Sequence, residues 1–335
     1  MTRLAILAGA VMAAMPLPAD ETVDLVSARA TRATAWVTVE APCAGTLTAV
    51  AALDGFVPAV SAVTKELRDP NAFFTDVPGF GAKVPVGVGL VDGATGVPAK
   101  AREKVALRLV VPVGEKAKPG VHRGTLTLSC GGQKKVRELF LRVLDFALPP
   151  PRSRLSGRPW VAQLGGPLPS GWTRETPDTY ARQSASVSSV IGSLRRTDDD
   201  LQAERWRTLG VAYYALLDIP YAVNPDAWRR AAGVLAWQLA FDGVALPPGL
   251  KVDPVVAAGL EDAAIDVAYL SYASELSNAL ADKTRHPVKV TYEGRLGQFW
   301  VDRVRVASDD MDVVRLEAQA RLVRLLAFAK GEVTK

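Results

Sequence analysis

From Thr22 to Ala147 the chain alternates apolar and polar residues in short runs. Thr34–Val39, Thr46–Val50, Val105–Val110, Gly124–Ser129 and Val136–Val143 each follow a period of two. That is the period of a strand with one face in a core. Lys118-Pro119-Gly120 marks a turn, and Gly131-Gly132 joins the last two runs as a two-residue hairpin. Short strands divided by proline and glycine predict an antiparallel β-sandwich over residues 22–147. Leu148-Pro149-Pro150-Pro151 ends it, because proline cannot donate to a strand ladder. Residues 148–158 read as a proline-rich linker.

Beyond Pro159 the period changes to 3.6. Thr176-Pro177-Asp178 predicts a helix reaching about Arg195, and Asp198–Asp200 opens another through about Thr208. Val211–Leu217 reads as a buried strand and Asn224-Pro225 as the start of a helix to about Phe241. Val244–Leu246 reads as a second short strand. A long helix follows from Asp253-Pro254 to about Asp282, with Val256, Leu260, Ala263, Val267 and Leu270 as its apolar stripe. A last helix over 308–330 places Met311, Val314, Ala318, Leu322 and Leu325 on one face. Strand and helix in turn suggest βα units. The predicted fold class is multidomain β plus α/β: the sandwich, then a reduced (β/α)-type domain over 159–335 with a helical C-terminus.

The first nineteen residues depart from both patterns. Arg3 is a positive start, Leu4–Met15 is apolar but too short to span a bilayer, and Leu17-Pro18-Ala19 suits a signal-peptidase cut. The expectation is an exported protein, periplasmic or extracellular, without a transmembrane segment. Export permits a disulfide between the two cysteines, Cys43 and Cys130; two separately buried thiols are the other reading. The net charge of +5 is mild, and arginines scatter along the predicted helices, often beside acids, among them Arg229, Arg230 and Arg315. There is no dense basic tract with interleaved aromatics, so nucleic acid is not an expected partner.

Histidine and metal chemistry recede next. His122 and His286 are the only histidines, no His or Cys cluster has ligand spacing, and no Gly-x-Ser-x-Gly or phosphate-loop motif occurs. The expectation is no metal and no cofactor. Carboxylates remain. Asp218 directly follows the strand 211–217, and strand C-terminal ends form the active face of βα barrels. It is a candidate catalytic acid; equally, aspartate suits the turn before Ile219-Pro220. Around the same strand lie Tyr213, Tyr214, Tyr221, Trp228 and Trp237, with Trp160 near the start of the domain. Sugar rings stack on such faces, so Tyr214, Tyr221, Trp237 and Trp160 are candidate ligand-binding residues; core packing is the alternative for each.

Two segments carry a family resemblance. Ala117–Leu128, continuing to Leu141-Arg-Val-Leu-Asp-Phe-Ala-Leu-Pro149, resembles the end of the N-terminal sandwich of glycoside hydrolase family 123 and its relatives of unknown function. Val121-His122 stands where the family usually has Thr-Tyr. Tyr213-Tyr214, Trp228-Arg-Arg230, Ala236-Trp237 and Phe241-Asp-Gly-Val244 resemble the last strands of its catalytic barrel, and Gly259–Asp262 with Ala268–Leu270 the helix after them. The resemblance implies an exported, carbohydrate-related protein. In the family an adjacent Asp-Glu pair on a middle strand supports hydrolysis assisted by the substrate's acetamido group. Here the sole Asp-Glu is Asp20-Glu21, at the signal boundary. Only about 180 residues follow the linker, whereas a full barrel takes about 200 or more.

Three functions fit this reading. The first is a glycosidase-like protein that binds glycans or envelope partners without cleaving them. The second is an N-acetylhexosaminidase with relocated acids, Asp218 among them. The third is a structural envelope protein whose aromatics are all core.

Overall fold

The computed structural model describes residues 22–68, 83–149, 161–163, 172–174, 189–192, 212–216, 228–230, 232–233, 243–246, 252–284 and 311–331. The fold is rich in β-structure. Nine strands come first: β1 (Thr22–Arg29), β2 (Thr31–Glu40), β3 (Gly45–Leu53), β4 (Ala59–Arg68), β5 (Val84–Asp92), β6 (Val97–Ala99), β7 (Lys104–Val113), β8 (Gly120–Cys130) and β9 (Gln133–Ala147). They form a five-stranded sheet in the order β1-β9-β8-β3-β6 and a four-stranded sheet in the order β2-β7-β4-β5. Every pairing between them whose register is defined is antiparallel except that of β1 with β9.

One apolar core joins the two sheets. Leu126, Leu128, Leu139 and Leu141 from one sheet and Leu107, Leu109 and Val111 from the other are almost wholly buried in it. The alternation read from the sequence explains this directly: in β9, Leu139, Leu141 and Val143 are buried while Glu138 is exposed. The chain passes from one sheet to the other between β1 and β2 through Ala30 alone, in the left-handed conformation at φ 59°. Gly131 and Gly132, at φ 52° and 83°, make the tight β8–β9 turn, where only glycine accepts two successive positive φ values without strain.

Strand β8 passes so close to β3 that Gly124 has no room for a side chain. A Cβ there would lie 2.1 Å from the Ala52 carbonyl oxygen and 2.8 Å from the Leu53 Cα, both backbone atoms that cannot swing aside. We expect Gly124→Ala to destabilise the sandwich by about 1–3 kcal/mol, the usual range for overpacking. Urea denaturation would read this as a lower midpoint; an unchanged midpoint would mean that the two strands separate freely.

Five more strands, β10 (Val161–Gln163), β11 (Trp172–Arg174), β12 (Ser189–Gly192), β13 (Ala212–Leu216) and β14 (Gly243–Leu246), form a wholly parallel sheet in the order β10-β14-β13-β12-β11. From β11 to β14 the strands are laid down side by side in chain order, and the last returns beside the first. The strands thus follow one circuit. Among the described residues the circuit is open between β10 and β11. Strand β12 corrects the sequence reading, which placed residues 176–195 in one helix; Val190 and Ile191 are β-branched and pair with Tyr213 and Tyr214 of β13. Residues 228–230 and 232–233 are helical, and two long helices follow, α1 (Pro254–Thr284) and α2 (Met311–Ala329). All five apolar positions expected on α2 are buried, and four of the five on α1; Val267 is half-buried. No described helix is long and apolar enough to cross a membrane.

Backbone packing divides the chain into two compact units. The first holds the described residues through Val63, residues 90–148, and α2 from Gln319 onward; the second holds residues 64–89 and 149–318. Each unit has a long-range contact between distant segments. In the first unit, the Gln319 side-chain amide donates to the Val26 carbonyl of the edge strand β1 at 3.1 Å. In the second, Arg68 at the end of β4 binds both carboxylate oxygens of Asp253, just ahead of α1.

Candidate functional site

The parallel sheet is where the sequence placed its candidates. Tyr214 lies at the centre of β13, between β12 and β14, and its side chain is completely buried. This corrects its reading as a sugar-stacking residue. Parallel strands are covered on both faces, so an aromatic in the middle of one is a core residue and presents no ring face to a ligand. Neighbouring β14 has the same character, with Val244, Ala245 and Leu246 all buried. Asp218 falls two residues past the C-terminal end of β13, outside the described residues. Trp160, Tyr221 and Trp237 also lie outside them, as do residues 1–21 with the expected signal peptide, and His286. The five parallel strands contain no aspartate or glutamate.

The sequence reading missed a buried ionic cluster in the same unit. Asp266, on α1, is wholly buried. Its Oδ2 accepts from Arg229 Nε at 2.7 Å and its Oδ1 from Arg229 Nη2 at 3.2 Å, a two-pronged guanidinium–carboxylate pair. Arg315 of α2 donates its Nε to the same Oδ1. The third nitrogen of Arg229 reaches Asp312 at 2.8 Å, at the rim of the cluster where that side chain is exposed. Two cations thus face two anions. Burial alone would lower the Arg229 pKa, but the Asp266 and Asp312 carboxylates outweigh it and hold the pKa above the ordinary arginine value. The residue stays charged wherever the fold survives.

This arrangement is a clamp rather than a reactive centre. Both oxygens of Asp266 are taken by guanidinium donors, and its burial leaves no path for a substrate. It ties α1, α2 and the helical residues 228–230 together. A signal for it exists in the sequence: Asp262 and Asp266 stand four apart on α1, on the buried side with Ala263 and Leu270, and both are fully buried. Acids that interrupt an apolar stripe need buried cations.

In the sandwich, Cys43 and Cys130 are joined by a disulfide with a Cα–Cα distance of 5.8 Å, within the usual range. Among the described residues no three His, Cys, Asp or Glu side chains are grouped to hold a metal ion.

No family model matches the chain, and no curated protein matches it. Among solved structures it is similar to a family 123 glycoside hydrolase from Clostridium perfringens, analysed for glycolipid glycan hydrolysis. That likeness has a TM-score of 0.54 at 9% identity and covers 93% of this chain and 94% of the other, so it is one of fold. A Bacteroides fragilis protein provisionally described as an α-galactosidase shares 12% identity, covering 78% of this chain and 48% of the other, with a TM-score of 0.19. A β-glucuronidase from Parabacteroides merdae shares 10%, covering 77% and 31%, with a TM-score of 0.17. These two superpose too poorly to bear on the fold.

Proposed function

We propose that this is an exported glycosidase-like protein that binds glycans or cell-envelope partners without hydrolysing them. The fold it shares with a family 123 hydrolase supports the carbohydrate setting. The domain after the linker is then a reduced barrel: a parallel sheet that follows one circuit, with five described strands. One observation carries the non-catalytic part. The adjacent Asp-Glu pair of that family has no counterpart here beyond Asp20-Glu21, and none of the five parallel strands bears an acid.

Substrate-assisted cleavage needs one carboxylate to orient the acetamido group and an acid to protonate the leaving oxygen. General acid catalysis alone supplies about 10²–10⁴ in rate. Purified protein should therefore show no turnover of aryl N-acetyl-β-galactosaminide or glucosaminide, while a glycan array retains it. The second reading keeps Asp218 as a relocated acid, favoured by its place just past the C-terminal end of β13. Turnover that disappears in Asp218→Ala would establish that reading and end the first. Retention of no glycan, with no turnover, would leave the structural envelope role. Intact-mass analysis of the secreted fraction tests export: the mature chain should begin near Asp20.

A further inference from the structure

Three pieces of the sandwich close around an open pocket of about 510 Å³. The β3–β4 turn contributes Phe56 and Val57, the end of β7 and the connection after it Pro112, Lys116 and Lys118, and β8 itself His122. Each wall is fixed. Gly55 turns the chain at φ 79°, the Phe56 amide donates to the Leu53 carbonyl at 3.1 Å, and the Asp54 amide ties this turn to the Arg123 carbonyl of β8. His122 Nε2 lies 2.9 Å from the Lys118 carbonyl oxygen; a carbonyl only accepts, so Nε2 carries the proton and holds the β7–β8 connection against β8. The rings of Phe56 and His122 meet edge to face, with centroids 4.8 Å apart and planes at 79°.

The chemistry of the lining is one-sided. Its apolar part includes Val57, which is 84% exposed, and Phe56, which is half-buried. Its charged residues are Lys116 and Lys118, both exposed. Asp54 and Glu115, which precede Gly55 and Lys116 in sequence, are not part of the lining. The volume falls in the range of small-ligand sites, about 300–1,000 Å³. We propose that this pocket is a binding site for an anionic glycan, a pyranose whose apolar ring face meets Phe56 and Val57 while its carboxylate or sulfate meets Lys116 and Lys118. Lysine is a point charge without arginine's planar fork, which suits a charge presented in variable orientation along a polymer. The choice of a sugar over an acidic peptide rests on the glycan-binding reading above; the anionic character rests on the pocket alone.

The test measures binding of the mature protein to four probes by calorimetry: an oligogalacturonate, a sulfated oligosaccharide, a neutral chito-oligosaccharide and poly-glutamate. The expected result is binding of one or both anionic sugars, weakening as salt rises past 0.15 M, where screening acts over about 8 Å. Lys116→Gln/Lys118→Gln should weaken it at least tenfold with an unchanged melting temperature, since both side chains are exposed. Val57→Asp, also at the surface, should weaken it comparably. Which of the two anionic sugars binds tells carboxylate from sulfate. Poly-glutamate bound as well as the sugars, or anionic sugars bound equally by the lysine variant, would overturn the inference. So would binding of the neutral sugar alone, which would leave the glycan-binding reading standing. Failure of every sugar to bind would end both.

Discussion

Asp266→Ala is expected to lower the stability of the helical unit by about 3–5 kcal/mol, the cost of breaking a buried ion pair from one side. The substitution removes the carboxylate that faces both Arg229 and Arg315, each buried. Asp312 contacts Arg229 only at the rim, with its own side chain exposed, so it cannot neutralise both cations. Nor can Arg229 escape by losing its proton, because its pKa lies above the already high arginine value. Helical circular dichroism in a urea series would register the loss, because α1 and the whole cluster lie in this unit. Asp266→Asn should cost less, since an amide oxygen still accepts one of the donors. Replacing Arg229, Asp266 and Arg315 together by Met, Leu and Met should recover most of the stability, as apolar side chains of similar volume escape the desolvation penalty. A loss below 1 kcal/mol in the alanine variant would show that water reaches the cluster.

Cys43→Ser/Cys130→Ser should cost the sandwich about 4–5 kcal/mol. The bond closes a loop with a sequence separation of 87 residues. In the chain-entropy account a loop of that length denies the unfolded chain roughly this much freedom. Set beside a typical domain stability of about 5–15 kcal/mol, the loss is between roughly a third and nearly all of the total. The same drop should follow when the native protein is unfolded with and without a thiol reductant, and the double variant should no longer respond to it. A variant that melts with the native protein would show that the cross-link constrains little.

The sandwich was largely legible because its physics is local. A half-buried strand must alternate, and β2, β3, β7, β8 and β9 each contain a run where the alternation was read. The parallel sheet was legible only in part. β13 and β14 stood out as compact apolar runs, but β10 and β11 are three residues each, shorter than any period can reveal. β12 lies in a stretch whose capping signals favour a helix, and its pairing with β13 overrides them. Tyr214 shows the same limit from the other side, since a tyrosine beside a candidate acid reads alike whether it lines a cleft or fills a core. The Arg229–Asp266–Arg315 cluster draws on residues 37 and 49 positions apart. Taken singly, each is an ordinary helix charge, and only the packing of α1 and α2 turns them inward.

The bond from Gln319 to the Val26 carbonyl bears on how the protein is made. The two residues are 293 positions apart. At ribosomal rates of about 5–20 residues per second, roughly 15–60 s separate their appearance. Throughout that interval the Val26 carbonyl lacks the side-chain donor that the last helix brings to it.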